Sequence, residues 1–511
     1  MANFDVLIIG GGSAGSVLAA RLSEDASCSV GLVEAGGYPT DPDIAIPQKW
    51  PAIQGRDYDW AFATAPQVGT AGRVHPWPRG KIIGGSSCLH AMAHVRGHAD
   101  DFAVWAEATG SARWSLAGLL PGFIRSESFS GGASTSHGGD GPLPVWLPEA
   151  EVSPVVRAYM EAGLSLGVPR LADHNAGPLA GVSQNSLTIR HGRRVSAADA
   201  YLTPAVLARP NLTVLTGVDV HRLVVTGSRI GGVIAELDGK PTILSAGRTI
   251  LAAGAIGSPL LLMRSGIGPA ADLAAASIAC RLDRPAIGAN LHDHLLTAGN
   301  VYAAKRPVPP SLLQHSESLM YLSAGDISDN SGAPDVALAC VAAPTVSECF
   351  DAPEYGTAYT ILSGVTHPTS RGRLTVTGPD LADAPFIDPA YLTTEHDRKM
   401  VRRALDLART IGHAAPLAEW RASEVFPRLT GDAELAAFIE KAVITHHHPV
   451  GTCRMGADAA AVVDANLALN GFDGAYVVDA SVIPAITSGP VHAAVLAIAE
   501  TFAAEVAIGW R

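Results

Sequence analysis

Charge and aromatic side chains are scarce in this sequence. Asp, Glu, Lys and Arg make up 16% of its 511 residues, and Phe, Trp and Tyr 6%. The charge that is present leans acidic, with a formal net charge of −12. No basic surplus is available to draw in phosphate backbones or anionic lipid, which excludes nucleic acid and membrane as main partners. Six cysteines are scattered without a single C-x-x-C pair. That removes the common zinc and redox motifs and fits free thiols in the cytoplasm. No run of about 18 apolar residues is long enough to span a bilayer. No stretch has the low hydrophobicity of disorder, and no internal repeat is found. The opening residues MANFDVLIIGGG lack a basic segment and run straight into glycine, which reads as a buried strand rather than a leader. The expectation is a cytoplasmic monomer with more than one core, given its length.

Glycine is plentiful, at 53 residues, and several fall in loops with structure-forming neighbours. In FDVLIIGGGSAGSVLAARLSED an apolar strand, Phe4 to Ile9, runs into Gly10, Gly12 and Gly15 at G-x-G-x-x-G spacing. A helix follows from Ser16 to Leu22. A second apolar run, CSVGLVEAG, ends in Glu34, 24 residues after Gly10. This is the βαβ fingerprint of a dinucleotide site. Gly10 permits the tight turn, Gly12 admits the pyrophosphate, and Gly15 lets helix pack on strand. Ser13 and Ala14, in the glycine loop, are further cofactor candidates, and the N-terminus of the helix that follows favours phosphate. Glu34, followed by Ala35, is placed to accept hydrogen bonds from ribose hydroxyls. An acid at that position disfavours a ribose phosphate but leaves NAD and FAD both open.

Three later segments narrow the choice. PRGKIIGGSSCLHAMAHVRG (78–97) is a second glycine loop, where Gly84, Gly85 and Ser86 let a flat ring lie against backbone. LAAGAIGSPLLLMRSGIGP (251–269) is a buried strand, a glycine turn at Ala253 and Gly254, and a helix. GAYVVDASVIPAITSGPVHAAVLAIAETFA (474–503) is a strand, a loop and a long terminal helix.

With HGGDGPLPV (137–145) and HPVGTCRMG, these segments resemble the glucose–methanol–choline (GMC) oxidoreductase family. The resemblance implies an α/β fold, α+β overall. A Rossmann-like FAD-binding domain (1–155, 195–300 and 430–511) would interleave with a substrate domain (156–194 and 301–429) built on an antiparallel sheet with helices. It implies FAD held by the glycine loops, by Asp479 and Ala480 in VVDAS, by Val220 at the adenine, by His90 and Ala91, and by Pro490 and Val491. Members that link FAD covalently use a histidine where Leu89 stands here, so noncovalent FAD is expected. His94 occupies a position that is aromatic in the family. NLHDH (290–294) resembles a family motif near the flavin.

The segment AVITHHHPVGTCRMG holds His446, His447 and His448 in a row. A neutral imidazole is the usual base near neutral pH, and the resemblance assigns that role to His448, the histidine before proline. If 443–448 is extended, alternation places His446 and His448 on one face and His447 on the other. As a metal site the triplet lacks a third ligand and carboxylate support, so no metal is expected. Family members carry a His or Asn at the start of the last helix. The aligned residue here is Pro490, which has no donor, and His492 is two residues out of register. Ser488 is expected to cap that helix. His446 is expected to bind the substrate hydroxyl in place of the missing residue. H-x-H-P with proline at 490 resembles the family's pyridoxine-oxidising members. That implies oxidation of a primary alcohol to an aldehyde, with a small-molecule alcohol and O₂ as the partners and H₂O₂ formed. Two other readings stay open: a choline-dehydrogenase-like enzyme using another acceptor, and a hydroxynitrile lyase with structural flavin.

Overall fold

The computed structural model describes residues 3–510. Two large sheets organise it. The first has seven strands in the order Leu212–Thr216, Val30–Glu34, Asn3–Ile9, Lys240–Leu251, Arg229–Leu237, Asp219–Thr226, with Ala475–Val477 also pairing on Lys240–Leu251. The contacts among the first four strands and that of Ala475–Val477 are parallel, and the last two strands of the order form an antiparallel meander. Strands buried on both faces need continuous apolar sequence, and VLII and VGLV supply it. The helix Ser13–Leu22 packs on this sheet and Val491–Thr501 packs against that helix, with several alanines on the buried side of each.

The second sheet has eight strands. Its main path runs Arg421–Phe426, Val301–Ala304, Ala358–Val365, Val336–Val341, Ser316–Leu322, Gly181–Gln184, and Leu295–Thr297 joins Ala358–Val365 to Val443–Thr445. The boundaries expected at 300 and 430 cut across this sheet, since Leu295–Thr297 and Val443–Thr445 belong to it. Strict alternation divides its faces. Met320, Leu338, Cys340, Tyr359 and Ile361 pack under the helices Pro154–Ser165 and Glu395–His413. Leu319, Ala339, Val341 and Leu362 face the other way, with Leu296.

The architecture is the mixed α/β one expected from the sequence. Among the described residues no helix is long and apolar enough to cross a membrane.

Candidate active site

The parallel strands of the first sheet all end at one place. Gly10 follows Ile9, Ala35 follows Glu34, Ala252 follows Leu251, and Val478 follows Val477. Ligands of open α/β sheets bind beyond such carboxyl ends. Here a cavity of about 1100 Å³ opens there, and the second sheet forms its far wall. That exceeds the roughly 300–1,000 Å³ of a typical single-ligand pocket.

Most of the expected cofactor residues line the cavity: Gly10, Gly12, Ser13, Ala14, Glu34, Ala35, Gly85, Ser86, His90, Ala91, Val220, Ala253, Gly254, Asp479, Ala480, Pro490 and Val491. Gly15 and Gly84 stand behind the wall. A Cβ on Gly15 would sit 1.9 Å from the Gly10 carbonyl oxygen, so its role is packing. Gly84 takes a left-handed φ of +98° and its N–H donates to the Gly11 carbonyl at 2.8 Å, tying the second glycine loop to the first. A Cβ on Gly12 would meet only the Gly85 Cα, at 3.8 Å. The helix begins at Ser13, earlier than the expected Ser16, so its first turn faces the cavity. The Glu34 carboxylate accepts from the N–H of Gly11 at 2.8 Å and of Gly36 at 3.0 Å, while burial pushes its pKa up to about 7. Asp479 accepts from the Gly254 N–H at 2.9 Å, the Ser258 hydroxyl at 2.5 Å and both donors of Ser481. It clamps the last loop to the third glycine turn. A flat, phosphate-bearing dinucleotide fits these residues. The glycine faces leave space where side chains would stand, and helix N-termini flank it.

The histidines depart from the extended reading. The strand ends at Thr445, and His447 takes a left-handed φ of +64°. The cause is Asp293. Its carboxylate accepts from the His448 N–H at 2.6 Å, the Thr445 hydroxyl at 2.6 Å and the Tyr391 hydroxyl at 2.6 Å, and so pulls the chain into a turn. The Thr445 hydroxyl in turn accepts from the His447 N–H at 2.8 Å, and Arg79 donates to the His447 carbonyl at 2.8 Å. His446 and His448 still meet, with ring centroids 4.3 Å apart. His447 lines the same cavity, outside that ring cluster.

A third imidazole completes the cluster. His294 lies 5.2 Å from His448 and 6.2 Å from His446 between ring centroids. Its Nε2 is 2.8 Å from the Thr366 carbonyl and its Nδ1 is 3.0 Å from Nδ1 of His448. A carbonyl only accepts, so His294 Nε2 carries the proton and its Nδ1 is bare. His448 Nδ1 must then be the donor, which leaves His448 Nε2 as the unprotonated nitrogen. Burial holds all three rings neutral: it lowers His294 to about 4, His446 to about 3 and His448 well below its ordinary value. Asp293 and His294 sit in the NLHDH segment, whose sequence marked a neighbourhood but not these contacts. No third metal ligand stands beside the triplet in the sequence; the fold supplies one in His294.

Pro490 occupies the N-cap position of the last helix without a side-chain cap. Ser488 does not cap it either, because its hydroxyl donates to Asp101 at 2.9 Å. His492, expected to be a false match, does reach the cavity wall, where its ring lies 4.7 Å from that of His90. It stands apart from the base cluster.

Comparison with known proteins agrees with this geometry. The GMC oxidoreductase family model matches residues 4–296 in its N-terminal part and 368–499 in its C-terminal part. The chain belongs to the GMC oxidoreductase family. Pyridoxine 4-oxidase of Microbacterium luteolum is 56% identical over 505 residues, covering 98% of this chain and 99% of that one. An oxygen-dependent choline dehydrogenase of Ectopseudomonas mendocina is 36% identical over 532 residues, covering 98% and 93%. The crystal structure of pyridoxine 4-oxidase from Mesorbium loti superposes with a TM-score of 0.97 at 56% identity, covering 98% of each chain. As a member of the GMC family, the chain is an FAD-dependent alcohol oxidase.

Proposed function

We propose that this enzyme oxidises pyridoxine at its 4′-hydroxymethyl group to pyridoxal, using noncovalently held FAD and passing the electrons to O₂. The observation that carries the substrate is the paired His446 and His448 with proline at 490, in a chain 56% identical to pyridoxine 4-oxidases. When bound, FAD supplies the hydride acceptor. The protein's own groups do the rest. His448 takes the hydroxyl proton on Nε2, the nitrogen left bare by the His294 relay. His446, whose ring makes no hydrogen bond among the described residues, binds and orients that hydroxyl. General-base help of this kind is worth about 10²–10⁴-fold.

The substrate ring lies against the second sheet. Leu296, Leu319, Val341 and Leu362 form an apolar wall, and Ala337, Ala339 and Ala343 leave it shallow. Such a wall excludes water from the base. Pro490 and Val491 open the last helix beside the cavity, where the positive dipole end favours the negative charge of a reduced flavin. Leu89 is buried and carries no linking nucleophile, so FAD is held by contacts alone. We read the protein as a cytoplasmic monomer.

Anaerobic mixing with pyridoxine, choline and benzyl alcohol tests the reading. Pyridoxine should bleach the flavin fastest, and readmitted air should yield peroxide. Faster bleaching by choline would move the assignment to a choline-dehydrogenase-like enzyme. Bound flavin that no alcohol bleaches would make it a lyase. FAD should leave with the supernatant on acid precipitation, and flavin that stays in the pellet would refute noncovalent binding.

A further inference from the structure

We propose that His294, His446 and His448 form a binding site for a borderline-soft divalent metal ion, Zn²⁺ or Cu²⁺, and that the ion reversibly blocks alcohol oxidation. Each ring offers one nitrogen, and the three nitrogens lie within 4.8 Å of one another. Zinc–nitrogen bonds of about 2.0–2.1 Å at tetrahedral angles imply nitrogens about 3.4 Å apart. The His294 and His448 Nδ1 atoms are already 3.0 Å apart, so the site closes mainly by a turn of His446. Among the described residues no hydrogen bond holds that ring in place.

The surroundings are those of a metal ligand set. His294 donates its far N–H to the Thr366 carbonyl at 2.8 Å, the second contact that ligating histidines usually make. Asp293, buried and bonded to the His448 N–H at 2.6 Å, offsets added positive charge. Arg79, on the His447 carbonyl, opposes it. Three imidazoles without a carboxylate ligand suit Zn²⁺ or Cu²⁺ and not Mg²⁺ or Ca²⁺. His446 and His448 face the cavity, so a fourth coordination position falls where the alcohol binds.

Inhibition then follows from valence. A neutral imidazole has one unprotonated nitrogen. The metal binds His448 through Nδ1, the atom 3.0 Å from His294 Nδ1, so the ring's proton shifts from Nδ1 to Nε2 and no base remains. The lone pair serves the metal or the alcohol, never both.

The test is equilibrium dialysis of the holoenzyme against ZnCl₂, with anaerobic flavin reduction in parallel. Wild type should bind one Zn²⁺ per chain, and His446→Ala should weaken that binding by about tenfold or more. Zinc should slow flavin reduction competitively with alcohol, EDTA should restore the rate, and MgCl₂ should do nothing. His294→Gln should lose the ion as well; because its backbone partners are buried, His446→Ala is the variant least apt to disturb the fold. Absence of stoichiometric zinc, or equal binding by wild type and His446→Ala, would overturn the proposal. The dialysis result does not depend on which alcohol is oxidised, so a failure of pyridoxine as substrate leaves it intact.

Discussion

The two sheets meet the cavity in different ways. The parallel sheet meets it end-on, and its contribution is mostly backbone: strand termini, glycine turns and helix N-termini. The antiparallel sheet meets it face-on, and its contribution is a layer of side chains, Leu296, Leu319, Ala339, Val341 and Leu362. A site built from backbone depends on what is missing from each residue, so one added methyl can close it. A site built from side chains on a pleated face accepts many apolar substitutions and answers by changing which ligand fits. The base cluster stands at the seam, where Val443–Thr445 leaves the second sheet and the Asp293 carboxylate turns the chain.

The largest expected effect breaks the end-on half. Gly15→Ala would drive a methyl to 1.9 Å from the Gly10 carbonyl, and the purified protein should carry almost no flavin by its ratio of visible to ultraviolet absorbance. A fully yellow Gly15→Ala protein would remove the argument for that contact. At the seam, His448→Ala should keep its FAD and slow flavin reduction by about 10²–10⁴-fold. His294→Ala should cost less, about 10–100-fold, because it touches the base and not the substrate.

The pH profile separates that positioning role from simple damage. Burial depresses the imidazoles, with His294 at about 4 and His446 at about 3. The neutral, active form therefore persists as pH falls through 6.5, and wild-type reduction should fail only in the more acidic range. The apparent pKa belongs to the cluster. Neighbouring imidazoles help lower that of His448, so removing His294 should move the acid limb upward. An unmoved limb would mean that His294 acts only as packing. The smallest effect tests the face-on half. Ala339→Leu should leave flavin content unchanged and lower kcat/KM for pyridoxine by roughly tenfold through KM, as steric changes of one side chain do.

The same contrast explains what could be read beforehand. Gly10, Gly12 and Glu34, which line the cavity, could be picked out because a backbone site imposes glycine and acid at fixed spacing, and local spacing survives in a linear string; Gly85 and Asp479, which also line it, were placed by the family resemblance of their longer motifs. The pairing of His446 with His448 was legible from the short H-x-H-P run, although the geometry behind it is a turn at His447 and not a continued strand. His294, Thr366 and Tyr391 come from segments roughly 55 to 150 residues away from the triplet, and only pairing of Leu295–Thr297 with Val443–Thr445 brings His294 there. Nothing local in the sequence encodes that register. Ser488 looked like a helix cap because serine is a preferred cap residue and the last helix starts close behind it. Asp101, nearly 400 positions earlier, claims its hydroxyl instead.

The account rests on the imidazoles acting as one unit, and a double-mutant cycle measures that directly. Anaerobic flavin-reduction rates would be taken for wild type, His446→Ala, His448→Ala and the double variant, each with FAD content verified. If His446 sets the hydroxyl that His448 deprotonates, the double variant should be about as slow as the slower single variant. Single losses that multiply in the double variant, or a His446→Ala enzyme that reduces its flavin at the wild-type rate, would contradict it.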